Sequence, residues 1–119
     1  MSHKHWRLRV EHIIQAIDRI EEVVADKTFE QFIGDHVVFS AVLWNFTVMG
    51  EAVRHVPDDI KQIHSQIAWS DIRSMRNFLA HVYELIRLEV VWETIHDDLP
   101  GLRTQLTTLI ENLDGDNGK

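Results

Sequence analysis

The sequence contains no cysteine, only two prolines and a single tyrosine in 119 residues. Without cysteine, a disulfide framework, a thiolate zinc site and a cysteine nucleophile are all excluded. A long hydrophobic run is also missing, because the longest apolar stretch, residues 37–49, is interrupted by polar residues and falls short of the roughly 20 residues that cross a bilayer. We therefore expect this stretch to be a buried helix.

The composition is that of an ordinary globular protein, with 45% hydrophobic and 26% charged residues. This length and composition predict a single domain over residues 1–119, with residues 1–5 and 114–119 frayed. The first residues lack the apolar segment of a secretory signal, so we expect a cytoplasmic location.

The formal net charge is −7, which opposes binding of polyanions through a general basic field. Any contact with nucleic acid must then be local, or must come from an assembly in which two chains pool their arginines. The same acidity also suits a basic partner protein. Charge alone does not choose between these alternatives.

Apolar residues recur at spacings of three and four, which predicts helices. The first helix is predicted over Trp6–Val24. Thr28 and Gln31 form a capping-box pattern that starts a short helix. Asp35 is a suitable cap for a second long helix, which Pro57 ends.

The remaining chain continues the helical pattern. Ser70 or Asp71 can cap the next helix, and further helices are predicted over residues 85–95 and from Pro100 onwards. No stretch shows the alternation of a strand. The sequence therefore predicts an all-α, up-and-down helical bundle of about five to six helices.

The second long helix is apolar around nearly its whole circumference, so burying one face is not enough. We expect one side to pack into the subunit core and the other to meet a second copy of the chain, giving a homodimer. The predicted interface residues are Phe39, Leu43, Trp44 and Phe46. Gly50 costs about 1 kcal/mol relative to alanine inside a helix, so we expect it to let a neighbouring helix approach closely.

Residues 76–83 bring a guanidinium, an imidazole and a phenol together. Arg76 offers a fork of donors for phosphate oxygens and His81 can exchange a proton near neutral pH, a combination suited to phosphodiester chemistry without a metal. Asn77 can add a hydrogen bond. On a regular helix Arg76 and His81 lie about 140° apart. To act together they need a helix that bends or ends between them, or the arginine of one subunit beside the histidine of another.

A second set of spacings indicates which side chains could help to bind an anion. Arg76, Tyr83 and Arg87 lie along one side of a regular helix, and Arg73 is a further candidate for RNA binding. The structural alternative is that an arginine and a histidine near a helix end serve only as caps or surface residues. The other histidines show no convincing metal spacing, so no metal site and no cofactor are predicted.

The order Arg76, four residues, His81, one residue and Tyr83 resembles the Arg-x4-His-x-Tyr motif of HEPN-domain proteins. The resemblance is closest to the HepT-type toxins that are paired with minimal nucleotidyltransferase antitoxins. It extends over most of the chain. The additional matching segments are Met49-Gly50-Glu51-Ala52, Trp69, Met75-Arg76-Asn77, Val91-Trp92 and Asp98-Leu99-Pro100.

This resemblance implies an all-α homodimer whose two motifs form a composite ribonuclease cleft. Arg76 and His81 are then the catalytic pair, acting on cellular RNA such as tRNA or mRNA. Tyr83 is then the hydroxyl to which the antitoxin transfers AMP, silencing the nuclease. The alternative is a non-catalytic helical adaptor, or an RNA- or nucleotide-binding partner, of a nucleotidyltransferase.

Overall fold

The computed structural model describes the backbone of residues 3–81 and 85–117, and the side chains of residues 5–79 and 88–115. Within these ranges the chain is helical and contains no strand, so the all-α prediction is confirmed. The elements in chain order are α1 (His3–Val24), α2 (Phe29–Gly34), α3 (His36–Val53), α4 (Asp58–Ile63), α5 (Trp69–Ser74), a 3₁₀ helix (Met75–His81), α6 (Leu85–Glu93), a π-helical turn (Thr94–Asp98) and α7 (Leu99–Asn117).

The starts of α2 and α3 are fixed by the predicted caps. The Thr28 hydroxyl accepts a hydrogen bond from the Gln31 amide at 3.1 Å, and the Gln31 side-chain oxygen accepts one from the Thr28 amide at 2.9 Å. Asp35 Oδ1 accepts hydrogen bonds from the amides of Val37 and Val38 at 3.0 and 3.2 Å. These contacts satisfy amides that have no partner within the helix.

The core lies where α1 packs against α3 and α7. Two ion pairs, Arg7 with Asp114 and Arg103 with Asp18, join α1 to α7. Because the paired residues are eleven apart on each helix and run in opposite order, α1 and α7 are antiparallel. The pKa of Arg7 is raised, chiefly by its hydrogen bond with Asp114, and that of Arg103 chiefly by its hydrogen bond with Asp18.

Helix α3 is the central element of the bundle. By length and composition alone it could cross a membrane, with 18 residues and a mean hydropathy of 1.3, but half of it is buried within the subunit. A core helix of a globular protein passes the same test. Its buried side joins the core, while its outer side exposes Val37 and Trp44, which are 77% and 65% exposed.

One boundary prediction, at the start of α5, is wrong. Helix α5 begins at Trp69 after Ala68, with no side-chain cap, so neither Ser70 nor Asp71 is its cap. The Trp69 indole instead donates to the His64 carbonyl at 3.0 Å, which ties the start of α5 to the preceding turn. Helix α1 begins at His3 and α7 extends to Asn117. The fraying of residues 1–5 and 114–119 stays a prediction.

The Asp35 cap leads to a stability prediction. Asp35→Ala removes the acceptor of two amides, and we expect it to lower the free energy of unfolding by about 1 kcal/mol in urea denaturation. Asp35→Asn keeps a good capping side chain and serves as the control, which should stay within a few tenths of a kcal/mol of the parent. Equal stability of all three proteins would contradict this role of Asp35.

Candidate active site

The predicted motif begins in a 3₁₀ helix, residues Met75–His81, which we call the motif helix. Helix α5 ends at Ser74, and the chain then tightens from α to 3₁₀ geometry. Runs of 3₁₀ helix longer than three or four residues are uncommon and often mark functional segments. The change of helix geometry therefore comes before Arg76 and not between Arg76 and His81.

The side chains of the motif helix divide into an inner and an outer set. Residues three apart share a row in a 3₁₀ helix, so Met75 and Phe78 form one row, which is buried or packed on the core. Arg76 and Asn77 are exposed to solvent. Backbone positions 76 and 81 are a third of a turn apart at three residues per turn, so the tighter helix does not bring them into one row.

Three of the predicted site groups lie outside the described residues. Tyr83 is one, and the side chains of His81 and Arg87 are the others. Their assignment stays a prediction. Arg76, Asn77 and Arg73 are described, and all three are exposed.

An aromatic contact anchors the middle of the motif helix to α3. The ring of Phe78 meets that of Phe46 edge to face, with centroids 5.0 Å apart and an interplanar angle of 78°. Phe46 is completely buried and Leu43 is 3% exposed. These two residues of the predicted dimer interface therefore lie inside the subunit, because α3 uses this side to hold the motif helix.

The other two predicted interface residues are differently placed. Phe39 is partly buried and its ring lies 5.7 Å from that of Phe32. Trp44 lies on the exposed side of α3. Trp44 is therefore the member of the predicted set that is most available to a second chain.

Gly50 contacts the start of the motif helix, in agreement with the close helix approach predicted at this position. A Cβ built on Gly50 would lie 2.8 Å from Arg76 Cβ, 2.9 Å from the Arg73 carbonyl oxygen and 3.0 Å from the Arg76 amide nitrogen. The prediction that Gly50 permits close helix packing is confirmed. The neighbour it admits is the backbone that carries Arg76.

Arginines are concentrated around this contact. Arg73 and Arg76 both adjoin Gly50, and neither forms an ion pair with a carboxylate among the residues described. Arg54, one turn further along α3, is held by Glu51 at 2.8 Å. Because the net charge of the chain is −7, an anionic ligand needs a local group of exposed positive side chains, and Arg73 and Arg76 are such a group.

The chain after the motif is anchored by a second aromatic cluster. Trp92 of α6 stacks on Phe32 at 5.1 Å and meets Phe29 edge to face at 6.2 Å. Trp92 also contacts the His96 ring at 4.4 Å. Both ends of the motif region therefore connect to elements that are fixed by ring packing. The sequence did not single out the contacts of Trp92 with Phe29 and Phe32, because they join positions far apart in the chain.

The described side chains include no group of three or more histidine, aspartate or glutamate residues that could hold a metal ion. Metal independence stays a prediction, and the activity assay proposed below tests it.

The sequence model of the family described as "Ribonuclease HepT-like" matches residues 13–109. The chain belongs to this HepT-like family. The match spans the core helices and the whole motif, so the family that the motif resembles is confirmed over most of the chain.

Individual relatives agree with this assignment. The chain is 34% identical over 108 residues to a protein of Thermococcus cleftensis named "Probable ribonuclease HepT", covering 91% of this chain and 96% of that protein. It is 32% identical over 102 residues to a protein of Caldanaerobacter subterraneus subsp. tengcongensis, provisionally named an RNase, covering 86% and 91% of the two chains. No solved structure matches this HepT-like chain.

The contact between Phe46 and Phe78 leads to a second prediction. If the two rings stabilise each other, Phe46→Leu and Phe78→Leu are expected to show a coupling of about 1 kcal/mol in a double-mutant cycle of unfolding free energies. The cycle Phe46→Leu with Val37→Ala is the control, because Val37 is 77% exposed and should not couple to Phe46. Additive effects of the two phenylalanine substitutions would show that the rings do not stabilise each other.

Proposed function

We propose that this HepT-like protein is a metal-independent endoribonuclease in which Arg76 and His81 act on the phosphodiester backbone of cellular RNA, such as tRNA or mRNA. The observation that carries the proposal is Arg76 itself. It is exposed, forms no ion pair with a described carboxylate, and projects from a motif helix that α3 holds at Gly50 and Phe46. Membership of the HepT-like family supports the choice of RNA as substrate.

The chemistry follows from the substrate. The ribose 2′-hydroxyl attacks the adjacent phosphorus as its proton passes to a base, and the bond from phosphorus to the leaving 5′-oxygen breaks as that oxygen takes up a proton. His81 is proposed to serve as the general base or acid for these transfers. Arg76 binds the non-bridging oxygens and stabilises the charge that grows on them in the transition state. Asn77, which is exposed beside Arg76, supplies a further hydrogen bond.

The proposed active unit is a homodimer. Backbone positions 76 and 81 lie in different rows of the motif helix, which favours a pair formed between two subunits. Pairing the arginine of one subunit with the histidine of its partner overcomes this separation. The exposed side of α3 with Val37 and Trp44 is the proposed contact surface, since large apolar side chains at this exposure favour association.

Replacing either member of the pair is expected to stop cleavage. Arg76→Ala and His81→Ala should each reduce RNA cleavage by at least about 100-fold and remove growth inhibition, because charge stabilisation and proton transfer each contribute on this scale. The rate of the parent should be the same with and without EDTA. Arg19→Ala, at an exposed arginine of α1, is the control and should retain full activity. Full activity of the Arg76→Ala/His81→Ala double variant would refute the proposal.

Mixing the two inactive proteins tests the shared cleft. A heterodimer of Arg76→Ala and His81→Ala chains contains one intact pair only if the arginine and histidine come from different subunits. Mixed and re-equilibrated proteins should then recover cleavage, up to about half of the parental activity per heterodimer. No recovery despite heterodimer formation would place each pair within one chain, and a monomer in sedimentation would contradict the dimer itself.

We further propose that a cognate minimal nucleotidyltransferase acts as antitoxin and transfers AMP to Tyr83. The motif Arg-x4-His-x-Tyr supports this, and a bulky anionic group beside a phosphate-binding arginine would exclude RNA by size and by repulsion. Tyr83 is the single tyrosine of the sequence. Any AMP found on a tyrosine in the intact protein therefore identifies the site.

The Tyr83→Phe variant tests this modification. It should keep cleavage, because the hydroxyl is not assigned to the reaction, yet it should no longer be neutralised or gain the mass of AMP on co-expression with the nucleotidyltransferase. The parent co-expressed in the same way is the positive control. Undiminished neutralisation of Tyr83→Phe would show that the antitoxin acts by another route.

The acidity of the chain favours one alternative from a different class. A net charge of −7 suits a non-catalytic adaptor that binds a basic surface of a nucleotidyltransferase. Tight binding to that partner by a purified protein that never cleaves RNA would support the adaptor. Cleavage that requires Arg76 would exclude it.

A further inference from the structure

We infer that Gly50 is a positioning residue, which places Arg76 by admitting the backbone of the motif helix against α3. This inference deepens the proposed function and rests on it for its catalytic consequence. Gly50 is not assigned to contact RNA. It is proposed to act through the arginine that does.

The reason for glycine at this position is space and not backbone torsion. No glycine in the described part of the chain has a positive φ, so Gly50 does not need the conformational freedom that often requires this residue. A Cβ at Gly50 would instead lie 2.8 Å from Arg76 Cβ, closer than real Cβ atoms come to a neighbouring atom. Only glycine allows α3 and the motif helix to remain this close.

The atoms that would be displaced belong to the backbone that carries Arg76. Besides Arg76 Cβ they are the Arg76 amide nitrogen and the Arg73 carbonyl oxygen, at 3.0 and 2.9 Å. None is the end of a flexible side chain that could turn away. A methyl group at Gly50 must therefore shift the motif helix at Arg76 or bend α3.

The aromatic contact one turn away on α3 prevents the whole motif helix from retreating freely. Phe46 is fully buried and holds Phe78 in edge-to-face contact at 5.0 Å. We therefore expect a push at Gly50 to be taken up as a tilt about Phe78, which displaces Arg76. The Arg76 guanidinium would then miss the phosphate oxygens, and a misplacement of about 1 Å can cost about 100-fold in rate.

Other glycines of the chain supply a matched control. A Cβ built on Gly101 or Gly115 meets no atom within 4 Å, and both lie in α7. Gly101→Ala therefore adds the same methyl group to a helix without a clash. It separates the general effect of alanine on a helix from the specific effect at Gly50.

The kinetic experiment compares Gly50→Ala with Gly101→Ala, well below the melting temperature of each protein and corrected for the folded fraction. We expect Gly50→Ala to lower kcat by roughly 10- to 100-fold with a smaller change in KM, and Gly101→Ala to keep the parental values. A merely structural role would lower the melting temperature but leave kcat of the folded protein unchanged. That result would overturn the inference.

A second measurement does not depend on cleavage. In ¹⁵N-edited NMR spectra, the amide signals of Arg76 and Arg73 should move in Gly50→Ala and stay in place in Gly101→Ala. Unmoved signals in Gly50→Ala would overturn the inference even if the parent cleaves RNA. Moved signals in a protein that never cleaves RNA would retain the positioning role and refute only the proposed function.

A second variant covers the case in which Gly50→Ala does not fold. Adding Arg76→Gly removes the nearest clashing atom, so the Gly50→Ala/Arg76→Gly protein should regain at least part of the lost melting temperature. Arg76→Gly alone is the control and should not raise the melting temperature of the parent. Failure of the double variant to recover any stability would place the cause of the defect elsewhere than the contact with Arg76.

Discussion

Two positions one turn apart on α3 determine where the motif helix lies. Gly50 leaves room for the backbone at Arg76, and Phe46 receives the ring of Phe78. One contact sets how near the two helices come, and the other sets their register along α3. Because the backbone of Arg76 adjoins Gly50, the buried side of α3 is proposed to position an exposed side chain.

This arrangement explains how an acidic protein can offer a site for an anion. The net charge is −7, while the backbones of Arg73 and Arg76 adjoin Gly50 and both side chains are exposed. Ion pairs occupy other arginines, such as Arg7 and Arg103 between α1 and α7. An exposed arginine can act on a bound anion at short range despite the net charge, since charges farther away than a Debye length of about 8–10 Å are largely screened.

The contacts of α3 explain why it has more apolar residues than one buried face needs. Its buried side contacts α1, α5 and the motif helix, so Leu43 and Phe46 are used within the subunit. Its exposed side retains Val37 and Trp44. The sequence pattern identified the excess of apolar residues correctly. It did not separate the residues that pack against the motif helix from those that remain exposed, because the apolar positions of a helix buried over a wide arc show no boundary between a buried and an exposed face.

Local signals in the sequence were reliable where the physical cause is itself local. The Thr28 capping box and the Asp35 cap involve residues within three positions of each other, and both form as predicted. The start of α5 was misjudged because Trp69 is held by the His64 carbonyl and not by a capping side chain. The change from α to 3₁₀ geometry at Met75 was not predicted, since a spacing argument that assumes 100° per residue does not show where a helix tightens.

The sequence by itself determined the helical class, the main helix starts and the set of candidate groups, because periodicity, caps and residue chemistry are properties of neighbouring residues. It also indicated that Gly50 faces a close neighbour. Only the tertiary structure decided that this neighbour is the backbone of Arg76, and that Phe46 is buried within the chain in contact with Phe78. Those outcomes depend on which helices meet, and contacts between residues distant in the chain are set by the packing of the whole core.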